Sequence, residues 1–154
     1  SRYPIVDSVN TPYATAENEP RALLAARVRI GGRRVVVYAT HLTHVGESTP
    51  ERLGQARQLL ALSAGETLPK AILGDLNAGP ETEEIRLLSA TYSDGYLAAG
   101  GPPPGYTFRS DMPDRRIDYI FLGPGLRPLA ARLPANERAS DHLPVIVSVA
   151  VETQ

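Results

Sequence analysis

The sequence contains no cysteine. Disulfide frameworks, thiolate zinc sites and cysteine nucleophiles are thereby excluded. Net charge is nearly absent too: 16 basic and 17 acidic residues leave −1. That balance argues against a broad nucleic-acid footprint, while leaving room for a local basic patch. No apolar stretch approaches the roughly 18 residues that span a membrane as a helix, and no secretory leader is visible. With 154 residues, 42% of them apolar and 21% charged, the composition is that of an ordinary globular domain, one rather than two.

Periodicity and punctuation then order the chain. Residues 1–20, SRYPIVDSVNTPYATAENEP, carry three prolines and no period, and read as a loop. Two β-rich runs, ALLAARVRI and RRVVVYATHL, flank Gly31-Gly32, the signature of a two-residue hairpin. A helix is predicted over about 50–64. Ser48 and Glu51 form a capping box there, Pro50 stands in the first turn, and Leu53, Ala56, Leu60 and Ser63 share a face that Leu59 widens. KAILGDLNAGP reads as a short buried strand, about 70–74, running into a loop. ETEEIRLLSA reads as a second helix with acidic residues in its first turn, where the helix dipole favours them. After the turn-rich GGPPPG come three strand candidates, RRIDYIFLG, RPLAARLP and PVIVSVAV. The pattern is α/β (α+β): a mixed sheet with helices on one face.

Chemically capable side chains gather at the ends of these strands. His41 closes VVVYATHL, Asp75 and Asn77 follow AIL, Asp118 stands in RIDYIF, and Asp141-His142 precede the last strand. Strand-end loops are where a rigid scaffold holds catalytic groups. A carboxylate such as Asp118 within an apolar run is costly to bury without a partner, and His142 is a natural one, since an Asp can orient an imidazole through one nitrogen. Taken singly, each residue has a bland reading. Asp75 could cap a turn, Asn77 could adopt a left-handed conformation before AGP, and His41 could be a satisfied core histidine. Four such sites together, all at strand ends, weigh against the bland readings, and such a set would suit phosphate-ester hydrolysis. A hard divalent cation takes carboxylate and water oxygens, an attacking water needs a positioned base, and the transition state needs nearby donors.

In the order THL, GDLNAGP, RIDYIF and SDHLPV, these motifs resemble the endonuclease/exonuclease/phosphatase superfamily. That superfamily includes pancreatic-type deoxyribonuclease, abasic-site endonucleases, neutral sphingomyelinases and inositol polyphosphate phosphatases, and the nearest likeness is to its small bacterial metal-dependent hydrolases. The resemblance implies a four-layer α/β/β/α sandwich with a mixed, mostly antiparallel sheet, and a Mg²⁺- or Mn²⁺-dependent hydrolase in which water attacks phosphorus. It implies roles as well. Asp75 orients or deprotonates the water and helps hold the metal. Asn77 donates its amide to a phosphoryl oxygen. His142, braced by Asp118, contacts the phosphate and moves protons. Asp141 binds or orients the metal, and His41 contacts the phosphate on the leaving-group side. Arg21 matches a phosphate-touching arginine or is a solvated strand-start residue. Thr107, in GYTF, lies in the loop that lines the family's substrate pocket, and His44 reads as a solvated loop histidine.

In one respect the sequence departs from the family. An Asn on the first strand and a metal-binding Glu soon after it have no counterpart here, and Glu17 and Glu19 stand in the wrong place for the role. The expectation is therefore that residues 1–154 are the C-terminal portion of the domain, with the missing N-terminal half or a second chain covering an exposed sheet face. The expected substrate is a phosphoester, a small one before nucleic acid or phospholipid. The competing class is a truncated or degenerate domain that binds phosphate or a partner without turnover.

Overall fold

The computed structural model describes residues 1–14, 20–46, 49–136 and 139–152. Ser48, Glu17 and Glu19 lie outside the described residues. The strands are β1 (Ile5–Pro12), β2 (Ala22–Ile30), β3 (Arg33–His41), β4 (Lys70–Asp75), β5 (Ser93–Asp94), β6 (Asp118–Leu122), β7 (Leu126–Arg132) and β8 (Ile146–Val151). The helices are α1 (Pro50–Ala64), α2 (Glu83–Ser89) and the single turn α3 (Gly95–Ala98). A six-stranded sheet runs in the order β1-β2-β3-β4-β6-β5, and β7 and β8 form a separate two-stranded sheet. Among the described residues only the β3–β4 pairing is parallel, so the sheet is mixed and mostly antiparallel.

The β2–β3 hairpin forms where Gly31-Gly32 stands. Ile30 pairs with Arg33, and both glycines have positive φ, 55° and 82°, as a turn matched to the strand twist demands. Side chains alternate between the two faces of each strand. Leu23, Val36, Tyr38, Ile72, Tyr119 and Phe121 point one way, into the main core with Ala56 and Leu59 of α1 and Ile85 and Leu88 of α2. Val35, Ala71, Ile120 and Leu122 point the other way, where Leu126 of β7 and Val147 and Val151 of β8 meet them. The two longer helices thus cover one face. The small sheet covers part of the other, and α3 packs beside β6 and β7.

Three readings of the sequence need correction. The N-terminal segment is not all loop, because Ile5–Pro12 pairs antiparallel with β2. As an edge strand it buries almost no side-chain surface, so its order comes from backbone pairing and leaves no hydrophobic period to read. The last two strands do not extend the main sheet but pair with each other. The buried face of α1 is centred on Arg52, Gln55, Ala56, Leu59 and Ser63 rather than on a purely apolar stripe, and Thr49 is its N-cap.

Arg52 can be buried because it is paired. Its Nε lies 3.4 Å from Glu84 Oε1 of α2, and its guanidinium donates to the carbonyls of Thr43 (3.2 Å) and Gly46 (3.0 Å). Gln55 Oε1 accepts from the Thr43 amide at 2.8 Å. This polar clamp ties the loop after His41 to both helices. It also explains why Glu84, which reads as a dipole-stabilising surface residue, has no exposed area.

Gly74 is the one glycine that decides where the strand end falls. Its φ is +146°, and a Cβ there would collide with the Thr40 carbonyl on the neighbouring strand. Gly74→Ala should destabilise the protein by at least about 2 kcal/mol. Gly54, exposed in the interior of α1 with open space around it, should gain about 0.5–1 kcal/mol on substitution by Ala. Denaturant unfolding of the two variants against the parent checks both signs.

Candidate active site

β3 and β4 run parallel and end together, and β6 begins at the same edge of the sheet. His41 is paired with Asp75, and Asp75 with Asp118. Residues paired across neighbouring strands share a face, so the three side chains stand in a row on the face opposite α1 and α2. His142 reaches this row from the loop before β8. Its Nδ1 is 2.8 Å from Asp118 Oδ2 and its Nε2 is 3.9 Å from Asp75 Oδ2, while His41 Nε2 is 3.3 Å from the same Asp75 oxygen. An ionised carboxylate only accepts, so Nδ1 of His142 carries the hydrogen and donates it to Asp118. Asp118 thus has the partner that its position in the sequence requires.

The loop after β4 is shaped locally. The Asn77 amide N–H donates to Asp75 Oδ1 at 2.8 Å, and the Asn77 side-chain amide donates to the Leu42 carbonyl at 3.0 Å. Asn77 has φ 48°, a left-handed conformation that Asn tolerates better than most residues. The bland expectation for Asn77 therefore holds as geometry. One further amide hydrogen remains for other work.

Burial and charge set the protonation of this group. Asp75 is held above the ordinary carboxylate range, first by burial and then by the neighbouring Asp118 charge; the Asn77 amide and the two histidines pull the other way. Burial alone would depress His142, but its hydrogen bond to Asp118 and the charges of Asp118, Asp75 and Asp141 outweigh that and raise it. Asp75, Asp118 and His142 each offer one ligand atom, and these three atoms lie within 4.8 Å of one another. Two half-buried carboxylates and an imidazole fit a hard divalent cation, which takes few protein ligands and keeps water.

Other residues stand as follows. Asp141, expected to help hold a metal, is not in this group; Asp118 is. Asp141 is exposed, its carboxylate accepts from the Ser140 hydroxyl at 3.3 Å, and its carbonyl accepts from the Ser110 amide at 2.8 Å. Arg21 is buried and its Nη2 lies 3.3 Å from His44 Nδ1. The solvated readings of both residues miss this contact, for which the sequence holds no signal. Thr107 does not line a pocket: it has no exposed surface, and its hydroxyl is taken up by backbone. Two hollows flank the row. One, of about 500 Å³, runs past Asp118 and His142 along apolar Leu73, Ile120, Pro144 and Val145. The other, of about 910 Å³, lies beyond Asn77 among His44, Glu81, Tyr106 and Arg115.

A helix-backed mixed sheet with an acid–histidine row at its strand ends defines an α/β scaffold that gathers polar side chains at one edge. The chain belongs to the endonuclease/exonuclease/phosphatase family, whose model matches residues 1–142. No curated protein sequence matches it. Among solved structures, a conserved protein of unknown function from Enterococcus faecalis superposes with TM-score 0.83 at 22% identity, covering 97% of this chain and 67% of that one. A family member from Beutenbergia cavernae gives TM-score 0.83 at 27% identity, over 98% of this chain and 46% of that one. The mannosyl-6-phosphatase of Bacteroides thetaiotaomicron gives 0.80 at 19%, over 96% and 67%. The chain therefore spans about two thirds or less of the length of these relatives.

The raised His142 pKa has a signed consequence in metal-free protein. A group whose folded pKa is raised contributes stability that is fully present below its unfolded value, about 6.5 for His, and lost as pH climbs through the folded value. Asp75 has the same sign but acts in acid, above the ordinary carboxylate value. Between pH 6 and 9 in the presence of chelator, the melting temperature should fall more in the parent than in His142→Gln. Parallel melting curves would remove this assignment.

Proposed function

We propose that this chain, within its full-length natural protein, forms the site of a divalent-metal-dependent phosphoester hydrolase. The observation that carries the reading is the convergence of His41, Asp75, Asp118 and His142 from three strands and one loop. Asp75 and Asp118 would hold Mg²⁺ or Mn²⁺, and the exposed Asp141 beside His142 would add negative charge at the rim. The ion, when bound, supplies polarisation of a phosphoryl oxygen and neutralises developing charge. Asp75 orients the attacking water and takes up its proton. His142, held by Asp118, contacts the phosphate and supplies a proton. His41 faces the same Asp75 oxygen from the other side, on the leaving-group flank. Asn77 offers its remaining amide hydrogen to a phosphoryl oxygen, and Arg21 adds positive charge behind His44.

The polar hollow beyond Asn77 supports a small phosphoester as substrate, its alcohol part lying near Tyr106 and Arg115. The balanced charge of the chain supports this over nucleic acid. The apolar hollow along Leu73, Ile120 and Val145 supports the expectation that a further polypeptide segment covers that face. A phosphate-binding domain without turnover is the second reading, favoured by the fact that only two carboxylates among the described residues enter the candidate metal group.

Assays on the full-length protein with generic phosphodiesters and monoesters, plasmid DNA and sphingomyelin, with Mg²⁺ or Mn²⁺, separate these readings. Activity should disappear with chelator. Asp75→Asn and His142→Ala should each lower turnover by about a hundredfold or more without unfolding the protein. Near-parental rates in both variants would overturn the assignment. Phosphate binding without any turnover would favour the second reading. Tyr106→Ala should raise KM by roughly fivefold with kcat little changed, the loss of an aromatic contact worth about 1 kcal/mol. An unchanged KM on the best substrate would exclude the Tyr106 side of the site as the place of the alcohol group.

A further inference from the structure

We infer that Thr107 is the positioning residue of the Asp118–His142 pair, joining the backbones that carry the two partners. The inference rests on the reading of that pair as part of the hydrolytic site.

β6 starts at Asp118, but β5 pairs with it only at Phe121 and Leu122. The outer edge at the start of β6 therefore has no strand beside it among the described residues. Thr107 takes that place. Its Oγ1 accepts from the amides of both Ile117 and Asp118, each at 3.2 Å. Its own amide donates to the Arg115 carbonyl at 2.8 Å. Its carbonyl accepts from the amide of Leu143, the residue after His142, at 2.6 Å. One fully buried residue thus grips the chain at Asp118 and next to His142.

Phe108 continues the junction. Its backbone bridges both Arg115 and His142, and its ring lies 4.9 Å from the His142 ring, tilted by 58°. The imidazole is therefore held through Asp118 at one nitrogen and by tilted ring contact with Phe108. Both restraints originate in the two residues 107–108.

The residue type matters. A threonine hydroxyl has two lone pairs and can accept from two consecutive amides. Valine has the same shape and no acceptor, so Thr107→Val leaves both amides unpaired in a buried place. Serine keeps the oxygen. If Thr107 only filled space, valine would serve better than serine. If it positions the pair, serine rescues and valine does not.

The test is NMR and kinetics on the full-length protein. In the parent, the Ile117 and Asp118 amides should exchange slowly with solvent, and the His142 Hδ1 proton should appear at low field, bonded to Asp118. Thr107→Ser should keep all three signatures. Thr107→Val, folded by its melting curve, should lose amide protection and broaden Hδ1. Its kcat should fall about tenfold or more through misplacement of His142, with KM changed less than about twofold. A folded Thr107→Val with parental signatures and kcat overturns the inference, as does a Thr107→Ser variant as impaired as valine. Should Thr107→Val not fold, the parent and Thr107→Ser decide: protected amides and a sharp Hδ1 in both support it, and solvent-rate exchange in the parent overturns it. Absence of turnover in every form overturns the hydrolase reading, and the NMR signatures then decide the positioning role by themselves.

Discussion

Two carboxylates stand directly opposite each other on adjacent strands, Asp75 on β4 and Asp118 on β6. Like charges at paired positions of a sheet repel, and here both are half-buried, where the repulsion is screened least. The rest of the site answers that constraint. His142 spans the pair, with one nitrogen on each carboxylate, and His41 adds a second imidazole to Asp75. Asp75 is nevertheless held above the ordinary carboxylate range, first by its burial and then by the neighbouring Asp118 charge. A divalent cation, if held by Asp75 and Asp118, would offset the repulsion without protonating either. The same geometry thus brings together a candidate metal group and a carboxylate whose proton affinity is raised.

The scaffold makes this possible by separating its two faces. α1 and α2 bury one face of the sheet with large apolar side chains, which leaves the opposite face free to carry the polar row. Parallel pairing of β3 with β4 brings His41 and Asp75 to one edge at the same level. Gly74 permits the approach of β4 to the Thr40 carbonyl just before Asp75, and the Arg52–Glu84 clamp fixes the chain leaving His41. Each side chain of the site is thus followed or preceded, within a few residues, by a contact that sets where its strand stops.

Much of this arrangement was legible in the sequence, and its gaps have physical causes. The hairpin at Gly31-Gly32, α1, α2 and the strands carrying His41, Asp75 and Asp118 announce themselves through period and turn chemistry, and the Asp118–His142 contact followed from the difficulty of burying a lone carboxylate. β1 was not legible because an edge strand with both faces exposed carries no period. The inward turn of Arg52 and Glu84 was hidden because ion pairs between helices obey no local spacing. The exchange of Asp141 for Asp118 in the candidate metal group depends on loop geometry: Asp141 sits one residue from His142, yet its carbonyl is bonded to Ser110 and its side chain turns to Ser140. Thr107 stands in a loop whose Tyr106 borders the polar hollow, yet spends its own hydroxyl on the backbone behind it, which no local pattern announces.

The loop bearing His142 has two duties, and they are coupled. On one side it presents the imidazole to Asp75 and Asp118. On the other, Leu143, Pro144 and Val145 wall the apolar hollow that continues over Leu73 and Ile120. Any polypeptide that covers this face also removes water from beside His142. Burial opposes its positive charge while strengthening its attraction to both carboxylates. The charge on the imidazole is thus set jointly by Asp118, by Asp75 and by the solvent exposure of the wall that ends at Val145. Chemistry at the strand ends and closure of the second sheet face are, physically, parts of one problem.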